Sequence, residues 1–313
     1  MDKLRLMESF VTIVDAGSLT AAAHRRQCSL AAVVRGLAQL EAYLGVRLLN
    51  RTTRRIALTE EGRSYLVRCR RVLADIGDAE AVVGDRGRPG GTLVLTAPVM
   101  FGRLHVAPVV VDLLARHPSM RVELLLLDRV VDLLEEGIDL AVRIGALQDS
   151  SMIALPLGDV RAVVCASPGY VARHGAPGTP DSLLQHRCIR MLGNPATVAW
   201  RFEHDGRRQT LEVGGVIATN QLDVAVDACI RGLGVGRFLS YQVADALADG
   251  RLVEVLADAR TPPVPVHFVY PHSRLLSSRV RAFVDLGRPV LAQRLSAVGR
   301  RVAGDGVDKR GEQ

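Results

Sequence analysis

Residues 16–45 read AGSLTAAAHRRQCSLAAVVRGLAQLEAYLG, and the punctuation in this stretch decides the architecture of the first quarter of the chain. Gly17 stands where a preceding amphipathic helix, with Leu4, Leu6, Met7, Phe10, Val11 and Val14 at three-to-four spacing, must stop. Ser18 can cap a second helix whose small residues Ala21, Ala22 and Ala23 let a neighbouring helix approach closely. A turn follows at Gln27 and Cys28. Ser29 can then cap a third helix with Ala32, Val33, Leu37, Leu40 and Leu44 on its apolar face and Gly45 at its end. Helix, short turn, helix is the arrangement in which the second member of the pair enters the major groove of DNA.

The run Val46 to Leu58 places apolar Leu48, Leu49, Ile56 and Leu58 around Asn50, Arg51, Thr52, Thr53, Arg54 and Arg55, which predicts a hairpin with a cationic tip. Arg and Thr there can contact phosphates, so directly after a helix-turn-helix pattern the hairpin reads as a wing; taken alone, the hexapeptide would read rather as a solvated basic loop. Charge supports the wing. Residues 1–71 carry 13 Lys and Arg against 6 Asp and Glu, whereas residues 72–313 carry 27 of each, so the whole net charge of +7 lies in the first quarter. That asymmetry is the footprint of a nucleic-acid-binding module joined to a neutral domain.

Thr59 can cap a further helix, with Glu60 and Glu61 favourable at its positive end. Leu66, Cys69, Val72 or Leu73, Ile76, Ala79 and Val83 recur along it, a seam more easily buried against a second copy of the helix than against a small head. Leu66, Cys69, Leu73, Ile76 and Val83 are the expected dimer contacts. Residues 85–91, rich in Gly, break the helix into a hinge.

From Thr92, strand-like and helix-like segments alternate: Leu93–Thr96, a helix at 103–116, Arg121–Leu127, a helix near Val130–Glu136, and Asp139–Ile144. Beyond Val160 a second α/β stretch includes helices at 222–231 and 241–248, then a strand at Val264–Tyr270 and a helix at 277–295. The pattern predicts parallel sheets in two lobes with a ligand cleft at the strand carboxyl ends. Composition agrees with a folded protein: 313 residues, 48% hydrophobic and 23% charged. No charge-free apolar run reaches the roughly 18 to 20 residues of a membrane span, and the start lacks a signal-peptide core, so a cytoplasmic protein without a membrane partner is expected. The five cysteines are scattered and odd in number, which speaks for free thiols rather than a disulfide framework or zinc site. Gly232, Gly234 and Gly236 hint at a dinucleotide turn, but Arg237 follows where a further glycine would be needed. No catalytic residue, metal or cofactor is therefore expected. An enzyme and an exported solute-binding protein are the rival readings; neither accounts for the basic front end.

Several stretches resemble the LysR-type transcriptional regulators: Met7 to Phe10, Ala16 to Ala23, Leu37 to Arg55, and Leu58, Thr59 and Gly62. The resemblance spans nearly the whole chain. It implies an all-α-rich N-terminal winged helix-turn-helix over 1–58, a dimerisation helix and hinge over 59–90, and a two-lobed periplasmic-binding-protein-like α/β effector domain over 91–297. The first lobe would hold about 91–162 and 267–297 and the second about 163–266, with a disordered tail at 298–313. The implied partners are double-stranded promoter DNA, a small-molecule effector such as an organic anion, a homodimer or homotetramer, and RNA polymerase. DNA would meet Ser18, Thr20, Ser29, Leu30, Ala31, Val34, Arg35 and Gln39, with Arg51, Thr52, Thr53, Arg54 and Arg55 on the wing. The family pattern has Gln after the cap Ser and Ser before the Arg, where this chain has Leu30 and Val34. Since one good base contact supplies about 1–3 kcal/mol of discrimination, altered or relaxed specificity, or lost DNA binding, follows as an alternative. Gly36 inside the recognition helix costs about 1 kcal/mol relative to Ala.

By the same resemblance the effector would meet Ala97, Pro98, Met100, Phe101 and Gly102 after the first strand, Asp128 after the second, Arg143 and Ile144, and Asn220 and Gln221 before a helix. The first and last are strand-to-helix turns whose backbone amides can hold an anion, and Arg143 can bind a carboxylate in bidentate fashion. Asp128 also reads as a helix cap, and Arg143 as part of a structural ion pair. Met100 stands where many relatives of the family have a small hydroxyl residue, which would make the pocket more apolar or narrower.

Overall fold

Helices of the N-terminal head begin and end where the local capping residues stand. The computed structural model describes residues 2–303 except 53–54, 84–88, 148–151, 193–198, 205–206, 260 and 272–276. Helix α1 (Lys3–Ala16) starts with the Asp2 carboxylate accepting from the Arg5 N–H at 3.2 Å and ends at Gly17, whose φ of 69° only glycine adopts cheaply. Helix α2 (Leu19–Arg25) has its Ala21 N–H on Ser18 Oγ at 3.0 Å, and α3 (Leu30–Leu44) its Ala32 N–H on Ser29 Oγ at 3.2 Å. Strands β1 (Leu49–Thr52) and β2 (Arg55–Leu58) form the antiparallel wing, with Leu49 opposite Leu58. Glu41 on α3 accepts from the Leu48 and Leu49 N–H groups at 2.8 and 3.2 Å and so ties the wing to the recognition helix.

Helix α4 (Glu60–Val83) is capped by Thr59 Oγ1, which accepts from the Gly62 N–H at 2.8 Å. Its first turns do not wait for a partner chain: Leu66 and Cys69 are buried in one core with Phe10, Ile13, Ala22, Val33, Leu37, Leu40 and Leu48. This corrects the expected dimer seam, because the head has apolar surface of its own to cover and α4 lies nearest to it. Leu73 and Ile76 are half-buried and Val72 is exposed, while the side chain of Val83 lies outside the described residues.

The remainder folds as two lobes. The first has a sheet in the order β4-β3-β5-β14-β6, in which β3 (Gly91–Ala97) runs parallel to β4 (Met120–Leu126) and β5 (Leu140–Ile144). Strand β14 (Val264–Pro271) is antiparallel to β5 and to β6 (Met152–Val160). The second sheet has the order β11-β8-β12-β7-β13. There β11 (Gly215–Thr219), β8 (Cys188–Met191) and β12 (Val235–Leu239) are parallel, and β7 (Ala162–Ala166) and β13 (Val253–Glu254) are antiparallel. Both sheets are thus mixed rather than wholly parallel, since the chain crosses between lobes twice and each crossing strand enters reversed. The crossings fall at Arg161 and between Glu254 and Val264, the latter ahead of the expected position at 266–267. A hairpin of β9 (Ala199–His204) and β10 (Arg207–Glu212), not foreseen from the sequence, packs Trp200, Phe202 and Leu211 onto the second lobe, in one cluster with Tyr170 of α7 (Pro168–His174).

Three helical expectations change. The first-lobe helix begins at Val99, as α5 (Val99–Phe101), and passes through a π turn at Gly102–Val106 into α6 (Ala107–Arg116). Pro108, which has no N–H to give, sits just past the widened turn. Residues 130–136 form turns instead of a helix: the Asp132 carboxylate caps a single turn, accepting from the Leu134 and Glu135 N–H groups at 2.8 and 3.0 Å, and Gly137, at φ 68°, ends it. Helix α10 (Ser278–Ala303) packs Phe283, Leu291 and Leu295 onto the first lobe and Val302 onto the second, so 298–303 is helix rather than tail; 304–313 lies outside the described residues.

Two glycines of the head make opposite demands. A Cβ at Gly62 would lie 2.0 Å from the Leu48 carbonyl oxygen, a backbone atom that cannot move aside, whereas one at Gly36 would meet Leu6 Cδ2 at an ordinary 3.4 Å. Gly62→Ala is expected to lower stability by about 1–3 kcal/mol and Gly36→Ala to raise it by about 0.5–1 kcal/mol. Urea denaturation followed by circular dichroism checks both signs.

Candidate nucleic-acid interface and effector cleft

The outward face of α3 is built by helical spacing. Val33, Leu37 and Leu40 turn into the core, which leaves Leu30, Ala31, Arg35 and Gln39 exposed and Val34 half-buried. Leu30 is 45% exposed, a large apolar side chain at the start of the helix. Among the described residues Arg35 has no hydrogen-bond or ion-pair partner, while neighbouring arginines are held: Arg26 by Glu8 at 3.6 Å and Arg70 by Asp15. Ser18 and Ser29 spend their hydroxyl acceptors on capping, and Thr20 is exposed on α2. Backbone pairing puts Arg51, Thr52 and Arg55 in the wing, with Thr52 opposite Arg55; Thr53 and Arg54 lie outside the described residues. At the far end of α3, Lys3 Nζ donates to Tyr43 Oη at 2.6 Å and sits 4.4 Å from its ring centroid.

In the effector domain the turn after β3 is mostly core. Ala97, Met100, Phe101 and Gly102 are buried in the first-lobe cluster, and a Cβ at Gly102 would overlap Leu126 Cδ2 at 2.1 Å. Their role is packing, and they are not an open wall of the cleft. Pro98 is half-buried and precedes α5 with no side-chain cap of its own. Asp128 supplies that cap from the end of β4, accepting from the Val99 N–H at 3.0 Å, so a carboxylate of the protein already holds the turn expected to bind an anion. Among the described residues Arg143 has no ion-pair partner, and its Nη2 donates to the Val131 carbonyl. Ile144 is half-buried opposite Val266, and Asn220 and Gln221 are exposed, with the Gln221 N–H on Thr219 Oγ1 at 3.0 Å.

Contacts between the lobes involve residues that pattern alone does not mark. Arg103 reaches Asp223, in the first turn of α8 (Leu222–Ile230), with Nη1 and Nη2 each 3.2 Å from a carboxylate oxygen. Phe101 meets Tyr241 on α9 (Ser240–Ala248) edge-on at 5.2 Å, and His105 lies 5.7 Å from the same ring. Burial raises the Tyr241 hydroxyl well above its usual range, with the nearby Asp128 charge adding to the effect. Burial, then Arg294, pushes His105 down to about 4, and its buried Nε2 has no hydrogen-bond partner among the described residues. At the crossing, Arg161 holds Glu254 through two hydrogen bonds of 2.6 and 2.8 Å and donates to the Val302 carbonyl of α10 at 3.0 Å. The five cysteines are free thiols, Cys28 exposed and the others buried.

A basic winged helix-turn-helix joined by a long helix to a two-lobed α/β domain defines a DNA-binding regulator with a ligand domain. Comparison with known proteins agrees: residues 4–63 match the bacterial regulatory helix-turn-helix protein, lysR family, and residues 86–292 match the LysR substrate binding domain. An HTH-type transcriptional repressor of Pseudomonas aeruginosa is 40% identical over 290 residues, covering 91% of each chain. Among solved structures, CrgA of Neisseria meningitidis is similar with a TM-score of 0.60 at 30% identity, covering 93% of this chain and 98% of that one. Full-length AphB of Vibrio cholerae gives 0.59 at 27%, covering 90% and 97%. The chain belongs to the LysR family: it is a transcriptional regulator with an effector-binding domain.

Because His105 is kept neutral by the fold, the unfolded chain binds a proton that the folded one refuses between pH 6.5 and about 4. Stability contributed at this site is present above pH 6.5 and declines as pH falls through that window. Calorimetry of the protein and of His105→Gln across pH 4–7 should show a shallower acid-side loss of Tm in the variant.

Proposed function

We propose that α3 reads the major groove with Arg35 and Gln39 as its polar contacts and Leu30, Ala31 and Val34 as apolar ones suited to thymine methyl groups, while the wing grips phosphate. The exposed row Ala31, Arg35 and Gln39, with Leu30 and Val34 beside it, is the single observation that carries this reading. Fewer polar base contacts favour relaxed specificity as the second reading. Two chains would present two such helices to a roughly palindromic promoter site, paired through α4 around Val72, Leu73 and Ile76. Each sheet also ends in a strand flanked by apolar surface, Val111 and Leu125 in the first lobe and Val216 and Val224 in the second, which suits further assembly of copies.

The effector would be a small molecule held between the lobes near Asn220, Gln221 and Arg143. With Asp128 occupying the α5 turn, an organic anion is better accommodated at the turn before α8 and at Arg143.

Fluorescence anisotropy with DNA from upstream of the protein's own gene and with scrambled DNA, over a salt series, tests the DNA reading. Tighter binding to the upstream DNA is expected, with Arg35→Ala weakening it by about 1–3 kcal/mol. Leu30→Gln together with Val34→Ser should change the preferred sequence; equal, steeply salt-dependent binding to both DNAs would leave only phosphate contacts.

A further inference from the structure

We propose that a cavity of about 530 Å³ on the second lobe, where α7 and α8 end, binds a small polyanion, a molecule carrying two or more phosphoryl or carboxylate groups. Arg173 and His174 from the last turn of α7, Arg187 ahead of β8, and Arg231, Gly232 and Leu233 after α8 line it. Asn220 and Gln221 precede α8 whereas Arg231 follows it, so the cavity lies at the opposite end of that helix from the residues proposed for the effector. Its volume falls in the range of small-molecule sites.

Charge singles this cavity out. Three arginines line it against one carboxylate, Asp227, which Arg231 Nε already holds at 2.7 Å, so three positive charges less one negative leave two around one concave surface. Arg173 donates to the carbonyls of Gly169 at 3.0 Å and Gly232 at 3.4 Å. Those acceptors are neutral: they occupy two of its five N–H donors and leave its charge unanswered. A cation in the last turn of a helix is favourable in its own right, which accounts for Arg173. It does not account for Arg187, which leads into a strand and whose side chain has no hydrogen-bond or ion-pair partner among the described residues. Elsewhere arginines of this domain are matched by acids: Arg103 by Asp223, Arg129 by Glu136 and Arg161 by Glu254. All three cavity arginines are exposed, so a ligand reaches them from solvent, and Ala228 and Leu233 beside them give it an apolar wall.

The glycines that hint at a nucleotide turn serve this arrangement instead. A Cβ at Gly232, whose φ is 79°, would lie 3.0 Å from Nη2 of Arg173, so the guanidinium reaches across from α7 to the turn after α8 where a side chain would otherwise stand. A Cβ at Gly234 would lie 2.2 Å from the carbonyl oxygen of Arg187, and that carbonyl accepts from the Val235 N–H at 2.8 Å. Arg187 is thereby set against the same turn. A polyanion spanning the cavity meets the guanidinium groups one at a time, each through charge-assisted hydrogen bonds, and none of the three needs to touch another.

Isothermal titration calorimetry of the full-length protein with pyrophosphate, citrate and acetate, each against sodium chloride at equal ionic strength, tests the site. Saturable binding is expected for pyrophosphate or citrate and none for acetate, with a Tm rise of about 4 °C at ten times the Kd. Pyrophosphate binding more tightly than citrate would assign phosphoryl groups, and the reverse order carboxylates. Arg187→Gln should weaken binding about tenfold and leave Tm in anion-free buffer unchanged, because its side chain holds nothing in the free protein. Arg173→Gln should weaken binding similarly and, by releasing the Gly232 carbonyl, lower Tm slightly. The basic head also attracts anions, so the variant carrying both substitutions decides between the two places: loss of the binding heat with an unchanged circular dichroism spectrum is expected. No heat beyond the chloride control, acetate binding as tightly as the polyanions, or binding that the double variant retains in full would each overturn the proposal.

Discussion

Burial of Leu66 and Cys69 against Phe10 and Leu40 makes the long helix and the DNA-binding head one body, and the rest of the regulator is arranged around that constraint. Gly62 lets the first turn of α4 close onto the Leu48 carbonyl, and Glu41 pins the start of the wing to α3. Recognition helix, wing and α4 therefore hold fixed relative directions. Any pairing of two α4 helices also sets the spacing and angle of two α3 helices, which is the geometric condition for reading a paired site.

In the effector domain, lobe-to-lobe contact is chiefly apolar. Leu222 packs against both the first-lobe cluster and a second-lobe one, and the Phe101 ring meets Tyr241. The Arg103–Asp223 pair crosses the same boundary but is more than half exposed, so it contributes at most about 1 kcal/mol. Closure of the lobes thus rests on surface removed from water, and the ion pair adds direction more than strength. Helix α10, touching both lobes and accepting from Arg161 at Val302, spans the crossing as a brace.

Legibility followed the range of the interactions. Ser18, Ser29, Thr59, Gly17 and Gly45 act within a turn of their own position, so helices of the head were readable to within a residue or two. Asp128 was readable as a cap, but the helix it caps begins 29 residues earlier in the chain. Ala97 and Phe101 are apolar residues at a pocket-like turn, and apolarity alone does not separate a pocket wall from a core. The stretch at 130–136 has helical periodicity, yet Gly137, at φ 68°, stops it after one turn capped by Asp132.

What the sequence by itself determined is the order of modules, the capped helices, the concentration of positive charge in the first 71 residues and the identity of Leu30, Arg35 and Gln39 on the exposed face of α3. Tertiary structure alone decided which apolar seam α4 spends within its own chain and which arginines find acids. The physical reason is that caps and periodicity are set by neighbours a few residues apart. Burial and charge pairing depend on residues tens to more than a hundred positions away, such as Arg103 and Asp223, whose meeting only the packed lobes create.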